Sequence, residues 1–205
     1  MELQNSTLTE FAALLAAKQP VPGGGGASAL IGALGAALAG MVGNYTVGKP
    51  KYAAVEAEVE AILAEATELQ KKLLALVDAD AAAFEPLSRA YAMPADAPGR
   101  AEVMEACLRD AAAVPMEILR LSCRTIELHE LLGEKGSRLM QSDVGTGVIF
   151  GWAALYGAAI NVKVNTKLMT DRAYAEAMNA EADALVGKYW KIAEAVYEKA
   201  YKEFC

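Results

Sequence analysis

The sequence predicts an all-α fold: a helical bundle in which two Ala/Gly-rich helices are buried by amphipathic ones, the whole forming a dimer. Three observations carry this. Apolar residues recur at helical spacing through the charged segments, and no stretch shows a persuasive strand alternation. Two long runs, Val21–Gly48 and Val144–Val162, contain no charged residue. The composition is 55% hydrophobic but only 7% aromatic, which suits helices packed through small side chains.

Taken in order, Thr7 and Glu10 form a capping box, and Phe11, Leu14 and Leu15 give a short amphipathic helix ending near Lys18. Pro20 and Pro22 stop it. A loop of four consecutive glycines, Gly23–Gly26, follows, then a buried helix from about Ala27 to Val47. Pro50 suits the first turn of a long helix carrying Val55, Val59, Ile62, Leu69, Leu73, Val77 and Phe84. Pro86 kinks that helix or marks its final turns, and Met93–Gly99 is a connector. The next helix is divided or bent at Pro115 and continues to a C-cap at Gly133. The segment Gly136–Lys167 holds the second buried helix. Thr170 or Asp171 caps a last helix with Tyr174, Met178, Leu185, Tyr189, Ile192, Val196 and Ala200 on one stripe.

One domain, 1–205, accounts for the length. Both uncharged runs are long enough to cross a bilayer, but Ala and Gly rather than Leu, Ile and Phe fill them, so they read as core helices and no membrane insertion is expected. A helix that is apolar all round must be covered on every side. Two of them in a chain this small predict a homodimer or higher oligomer. With 19 basic against 26 acidic residues and a net charge of −7, nucleic acid is disfavoured as the main partner. Cys107, Cys123 and Cys205 are too few and too scattered for a disulfide framework or a CxxC metal site. The first ten residues carry two Glu and no basic-then-apolar pattern, so no secretory signal is read there and a cytoplasmic location is expected.

The glycine run fits neither the P-loop nor the G-x-G-x-x-G pattern. His129 reads as a surface or capping histidine, and one His does not build a metal site, so no metal is expected. More informative are polar residues in or beside the apolar runs, because burying them unpaired is unfavourable. These are Lys49, Tyr52, Asp80, Ser142, Asp143, Asn161, Lys163, Asn165 and Lys167. Asp143 is equally an N-cap or a functional carboxylate, Asp80 is functional or faces solvent beside Asp78, and Lys49 and Lys51 are surface charges or proton partners.

Pro22-Gly23-Gly24-Gly25, the Ala-Leu-Ile-Gly-Ala-Leu-Gly-Ala-Ala-Leu run and Thr46-Val47-Gly48-Lys49 through Tyr52 resemble the signature of the cyclodeaminase/cyclohydrolase family. That family comprises the C-terminal domain of formiminotransferase-cyclodeaminase and the stand-alone bacterial methenyltetrahydrofolate cyclohydrolases. Asp80-Ala-Ala-Ala-Phe84, Ser142-Asp143-Val144-Gly145 and Asn161-Val162-Lys163-Val164-Asn165 are similar to its later motifs, in the same order. The likeness covers nearly the whole chain. One departure is Gly26, where the family commonly has Ser; Ser28 is the nearest hydroxyl that follows.

The resemblance implies a dimeric all-α enzyme whose partner is a folate derivative, bound in a cleft lined by the glycine loop and helix ends. It implies no cofactor beyond tetrahydrofolate as substrate. The cyclohydrolase reaction opens 5,10-methenyltetrahydrofolate to 10-formyltetrahydrofolate; the alternative, the cyclodeaminase reaction, closes 5-formiminotetrahydrofolate with release of ammonia. A catalytically silent folate-binding or interaction dimer is the alternative of another class. By resemblance Asp143 is the catalytic carboxylate and Lys49 its proton partner. Gly23, Gly24, Gly25, Ser28, Tyr52, Asp80, Ser142, Asn161 and Asn165 bind or orient the substrate, and Lys163, Lys167 or Arg138 meets the glutamate tail.

Overall fold

Thr7 opens the first helix, α1 (Leu8–Ala16), through the reciprocal capping box expected of it: Glu10 N–H donates to Thr7 Oγ1 at 3.2 Å, and Thr7 N–H donates to the Glu10 carboxylate at 2.8 Å. The structure, a computed structural model, describes residues 2–205 and contains no strand among them. After α1 come α2 (Gly24–Asn44), a 3-10 turn (Pro50–Val55), α3 (Glu56–Tyr91), α4 (Arg100–Lys135), a second 3-10 turn (Arg138–Met140), α5 (Gln141–Thr166) and α6 (Arg172–Lys202). Asp171 caps α6, its carboxylate accepting from Tyr174 N–H at 3.1 Å.

Several boundaries differ from the sequence reading, each for a physical reason. The glycine run is not a loop: Gly23 is the extended N-cap, and Gly24 to Gly26 form the first turn of α2. Pro50 starts a 3-10 turn rather than α3 itself. Pro115 does not divide α4, which is continuous through it. Gly133 is not a C-cap. It is buried inside α4, facing Val144, and the helix ends two residues later with Gly136 as its C-cap.

Small residues let α2 and α5 lie against each other in opposite directions. Ser28 faces Gly157, Gly32 faces Ala154, and Gly35 faces Gly147 and Gly151. Helix α3 flanks α2, α6 flanks α5, and α4 backs the central pair. By length and composition alone both central helices could cross a bilayer. Core helices of soluble proteins meet the same criterion, and here the amphipathic helices cover three sides of the pair.

The fourth side, away from α4, is bare. It exposes Leu34 and Met41 of α2, Tyr45 at the C-cap of that helix, and Tyr156, Ile160 and Val164 of α5, with Ile160 63% exposed. An uncharged surface running the length of two helices is the kind of patch that marks an association face.

His129 is not a surface residue. It is fully buried, reaching from α4 into the crossing of α2 and α5, where Nε2 donates to the Gly35 carbonyl at 2.9 Å. A Cβ on Gly147 would overlap its ring. Burial pulls the His129 pKa down from 6.5 to about 4. The unfolded chain therefore takes up this proton on acidification well before the folded one. Stability contributed by the neutral ring is complete above pH 6.5 and is lost as pH falls toward 4, at about 1.4 kcal/mol per pH unit within that window. Urea unfolding across the window is expected to show this slope, and His129→Gln to flatten it; an unchanged slope in the variant would assign the acid sensitivity to other groups.

Candidate active site

The residues singled out by sequence fall into two groups at opposite ends of the α2/α5 pair. The first group surrounds the glycine turn. Gly26 N–H donates to Asp80 Oδ2 at 2.8 Å, so Asp80 faces the start of α2 rather than solvent. Burial, partly offset by that N–H, holds the Asp80 carboxyl above the ordinary aspartate value. Gly25 lies so close to this carboxylate that any Cβ would overlap it, whereas a Cβ on Gly26 would sit 3.6 Å from Val77 O and 3.8 Å from Asp80 Oδ2, in ordinary contact. Gly25 is therefore required for the approach of Asp80, and Gly26 is not. Gly26→Ser is expected to be tolerated, with a gain of up to about 0.5 kcal/mol from helix propensity. Gly25→Ala is expected to lose about 1–3 kcal/mol by overpacking. Thermal unfolding of the two variants checks the contrast, which equal effects would remove.

The side chain of Asn161 packs on Gly24 and donates to Gly157 O at 2.7 Å. Asn165 Nδ2 donates to Ala111 O at 2.8 Å and Asn161 O at 3.0 Å, tying α5 to α4. Ser28 Oγ donates to Gly24 O at 2.7 Å and is buried against Gly157, so its hydroxyl is engaged within the fold. Ser28 and Asn161 thus brace the glycine turn, while Asn165 anchors the end of α5.

The second group gathers where α2 ends and α5 begins. Ser137 N–H donates to Thr46 Oγ1 at 2.8 Å, and Lys49 Nζ reaches Ser137 Oγ at 3.5 Å while standing over the Tyr45 ring at 5.9 Å. Tyr52 accepts from Arg138 N–H at 3.0 Å, a bond that draws its phenol below the ordinary tyrosine value. The Arg138 guanidinium pairs with Glu203. Asp143 is not an N-cap: Met140 holds that position without a side-chain bond, and Asp143 sits half-buried in the first turn of α5, where the helix dipole favours a carboxylate. Asp143 Oδ2 accepts from Ser142 Oγ at 3.5 Å. Lys49 and Asp143 share this end of the bundle without pairing to each other.

The two groups are separated by most of the length of α2, whose 21 residues span about 30 Å. One chain does not bring the glycine turn and Asp80 to Asp143 and Lys49. Of the cations considered for the glutamate tail, Arg138 lies in the second group. Lys163 and Lys167 lie toward the far end of α5, where Lys163 pairs with Asp183 at 2.5 Å. No group of three or more His, Cys, Asp or Glu side chains converges as a metal site among the described residues.

Sequence reasoning missed a groove of about 430 Å³ between the start of α5 and the end of α6. Phe150, Tyr197, Tyr201 and Phe204 line it together with Gln141, which is 1% exposed and whose Nε2 has no partner. The signal was present in the spacing of Tyr197, Tyr201 and Phe204, an aromatic stripe displaced from the core stripe of α6.

A family profile described as Formiminotransferase-cyclodeaminase matches residues 7–184, a span that holds both groups. The chain belongs to the formiminotransferase-cyclodeaminase family. Among its relatives, a protein named methenyltetrahydrofolate cyclohydrolase from Methylorubrum extorquens is 38% identical over 198 residues, covering 95% of each chain. The formimidoyltransferase-cyclodeaminase of Mus musculus is 30% identical over 188 residues, covering 90% of this chain but 35% of its own. This chain thus spans about a third of that relative. The crystal structure of a formiminotetrahydrofolate cyclodeaminase from Thermotoga maritima superposes with a TM-score of 0.83 at 30% identity, covering 98% of this chain and 96% of that one. The all-α fold of that structure therefore extends over the whole bundle.

Proposed function

We propose that the protein is a methenyltetrahydrofolate cyclohydrolase, converting 5,10-methenyltetrahydrofolate and water to 10-formyltetrahydrofolate. The observation that carries this reading is the end-to-end similarity to a relative of that name, with 95% of both chains aligned. The second group supplies suitable chemistry. Asp143 accepts a proton from water as its oxygen bonds to the bridging carbon, and the same carboxylate offsets the positive charge of the amidinium. Lys49 delivers a proton to N5 as the carbon–N5 bond breaks. The carbonyl forms when the added hydroxyl loses its proton, so the net reaction releases one proton. The folate is substrate, and no further cofactor enters. A cytoplasmic setting is part of the same reading.

The protein acts as a homodimer whose bare α2/α5 faces cover each other. A two-fold axis lying in that interface and perpendicular to α2 sets the two copies of α2 antiparallel. The glycine turn and Asp80 of one protomer then meet Lys49 and Asp143 of its partner. A two-fold parallel to α2 would bring like ends together and leave the two groups apart. The first arrangement unites the residues that resemble the family motifs into one site, present twice per dimer.

The fold shared with the Thermotoga maritima cyclodeaminase favours a second reading, in which N10 attacks a 5-formimino group and ammonia leaves. Absorbance assays separate the two. Loss of the methenyl chromophore on adding enzyme to 5,10-methenyltetrahydrofolate supports the cyclohydrolase; its appearance from 5-formiminotetrahydrofolate with ammonia release supports the cyclodeaminase. Folate binding with turnover of neither compound would leave a binding protein.

A further inference from the structure

We propose that the groove between the start of α5 and the end of α6 seats the pterin ring of the folate, with Gln141 as the side chain that meets the ring's hydrogen-bonding edge. This rests on the folate reading above and adds to it the location of the ring.

Three observations converge on the assignment. The walls are aromatic and aliphatic, with Tyr197 and Tyr201 stacked at 5.7 Å between centroids, and the space of about 430 Å³ admits a fused planar heterocycle. A pterin also carries lactam N–H and C=O groups that need partners when they leave water. Gln141 answers that need: its amide is buried in the groove wall with Nε2 unpartnered, an unfavourable state that a hydrogen-bonding ligand relieves. One carboxamide presents a donor and an acceptor side by side, the complement of a lactam edge.

The third observation is position. Ser142 lies in the same wall and Asp143 follows it in the first turn of α5. The one-carbon bridge is attached to N5 of the ring, so a ring in the groove keeps the reacting carbon beside that turn. Ile149 borders both this groove and the adjoining hollow formed with Trp152, Ala153 and Tyr156, making the groove continuous with the bare face where a second copy docks. The α6 half of the wall lies beyond residues 7–184, the span of the family match.

The test uses the full chain and tetrahydropterin lacking the aminobenzoyl-glutamate tail, titrated by the fluorescence of the protein's aromatic residues. Gln141→Leu removes the amide at similar volume, and Tyr201→Ala alters a side chain that is 56% exposed, so its folding is not at stake. Each is expected to weaken pterin binding about tenfold and to raise KM for 5,10-methenyltetrahydrofolate more than it lowers kcat. Gln141→Leu should also leave thermal stability equal or higher, since an unpaired buried amide is gone. If wild type binds the pterin and the variants lose it while no folate is turned over, the catalytic reading fails and the groove assignment stands. If wild type hydrolyses the methenyl compound and both variants keep its pterin affinity and KM, or if wild type binds no pterin, the groove assignment is overturned.

Discussion

Asp143→Asn is expected to lower kcat on 5,10-methenyltetrahydrofolate by about 10²–10⁴-fold, the range lost when a positioned general base is removed. The fold should be untouched. The carboxylate's hydrogen bond is to the neighbouring Ser142 hydroxyl at 3.5 Å, it caps no helix, and Asn has the same shape. Lys49→Met is expected to act on the same step, with a smaller loss because solvent can replace a proton donor in part. Its ammonium holds no tight structural bond, standing 3.5 Å from Ser137 Oγ. Steady-state kinetics beside a thermal melt separate chemistry from folding: near-normal kcat for Asp143→Asn would remove Asp143 from the mechanism.

Ile160→Lys is expected to convert the proposed dimer to a monomer and to abolish turnover, although Ile160 belongs to neither group of site residues. At 63% exposure its side chain makes little of the single chain's core, so the helices should form as before. In the proposed dimer the same position is buried against a second copy, and an added ammonium at an apolar contact is strongly unfavourable unless paired. Loss of activity then reports the separation of the two groups, which most of the length of α2 holds apart within one chain. Light scattering and circular dichroism accompany the assay. A folded monomer with full activity would show that one chain suffices.

The helices, their order and the apolar centre were legible in the sequence because periodicity, caps and proline positions are local signals. The capping box at Thr7 and the Asp171 cap are examples. Gly133, read as a helix end, lies buried inside α4 facing Val144, because the helix runs two residues further, to Lys135, before Gly136 caps it, and the packing that carries it past Gly133 leaves no local mark in the sequence. His129 was misplaced for a similar reason: its charged neighbours Glu127 and Glu130 suggested a surface, while the slot that receives it is built by Gly35 and Gly147 from two other helices. The candidate site could be read from the sequence as a set of residues and not as an arrangement. Motifs in one chain read as one cleft, yet antiparallel packing of α2 and α5 sends the glycine turn to one end and Asp143 to the other. Gln141 escaped attention because a lone glutamine at a helix start looks ordinary until its burial without a partner is seen.

Mixing two inactive variants tests the central claim most directly. Asp143→Asn and Asp80→Asn are each expected to be inactive as homodimers. If each site takes Asp143 from one protomer and Asp80 from its partner, a mixed dimer carries one doubly altered site and one intact site. Random exchange makes half of all dimers mixed, so activity should recover to about a quarter of the wild-type value. No recovery after demonstrated subunit exchange would contradict the shared site.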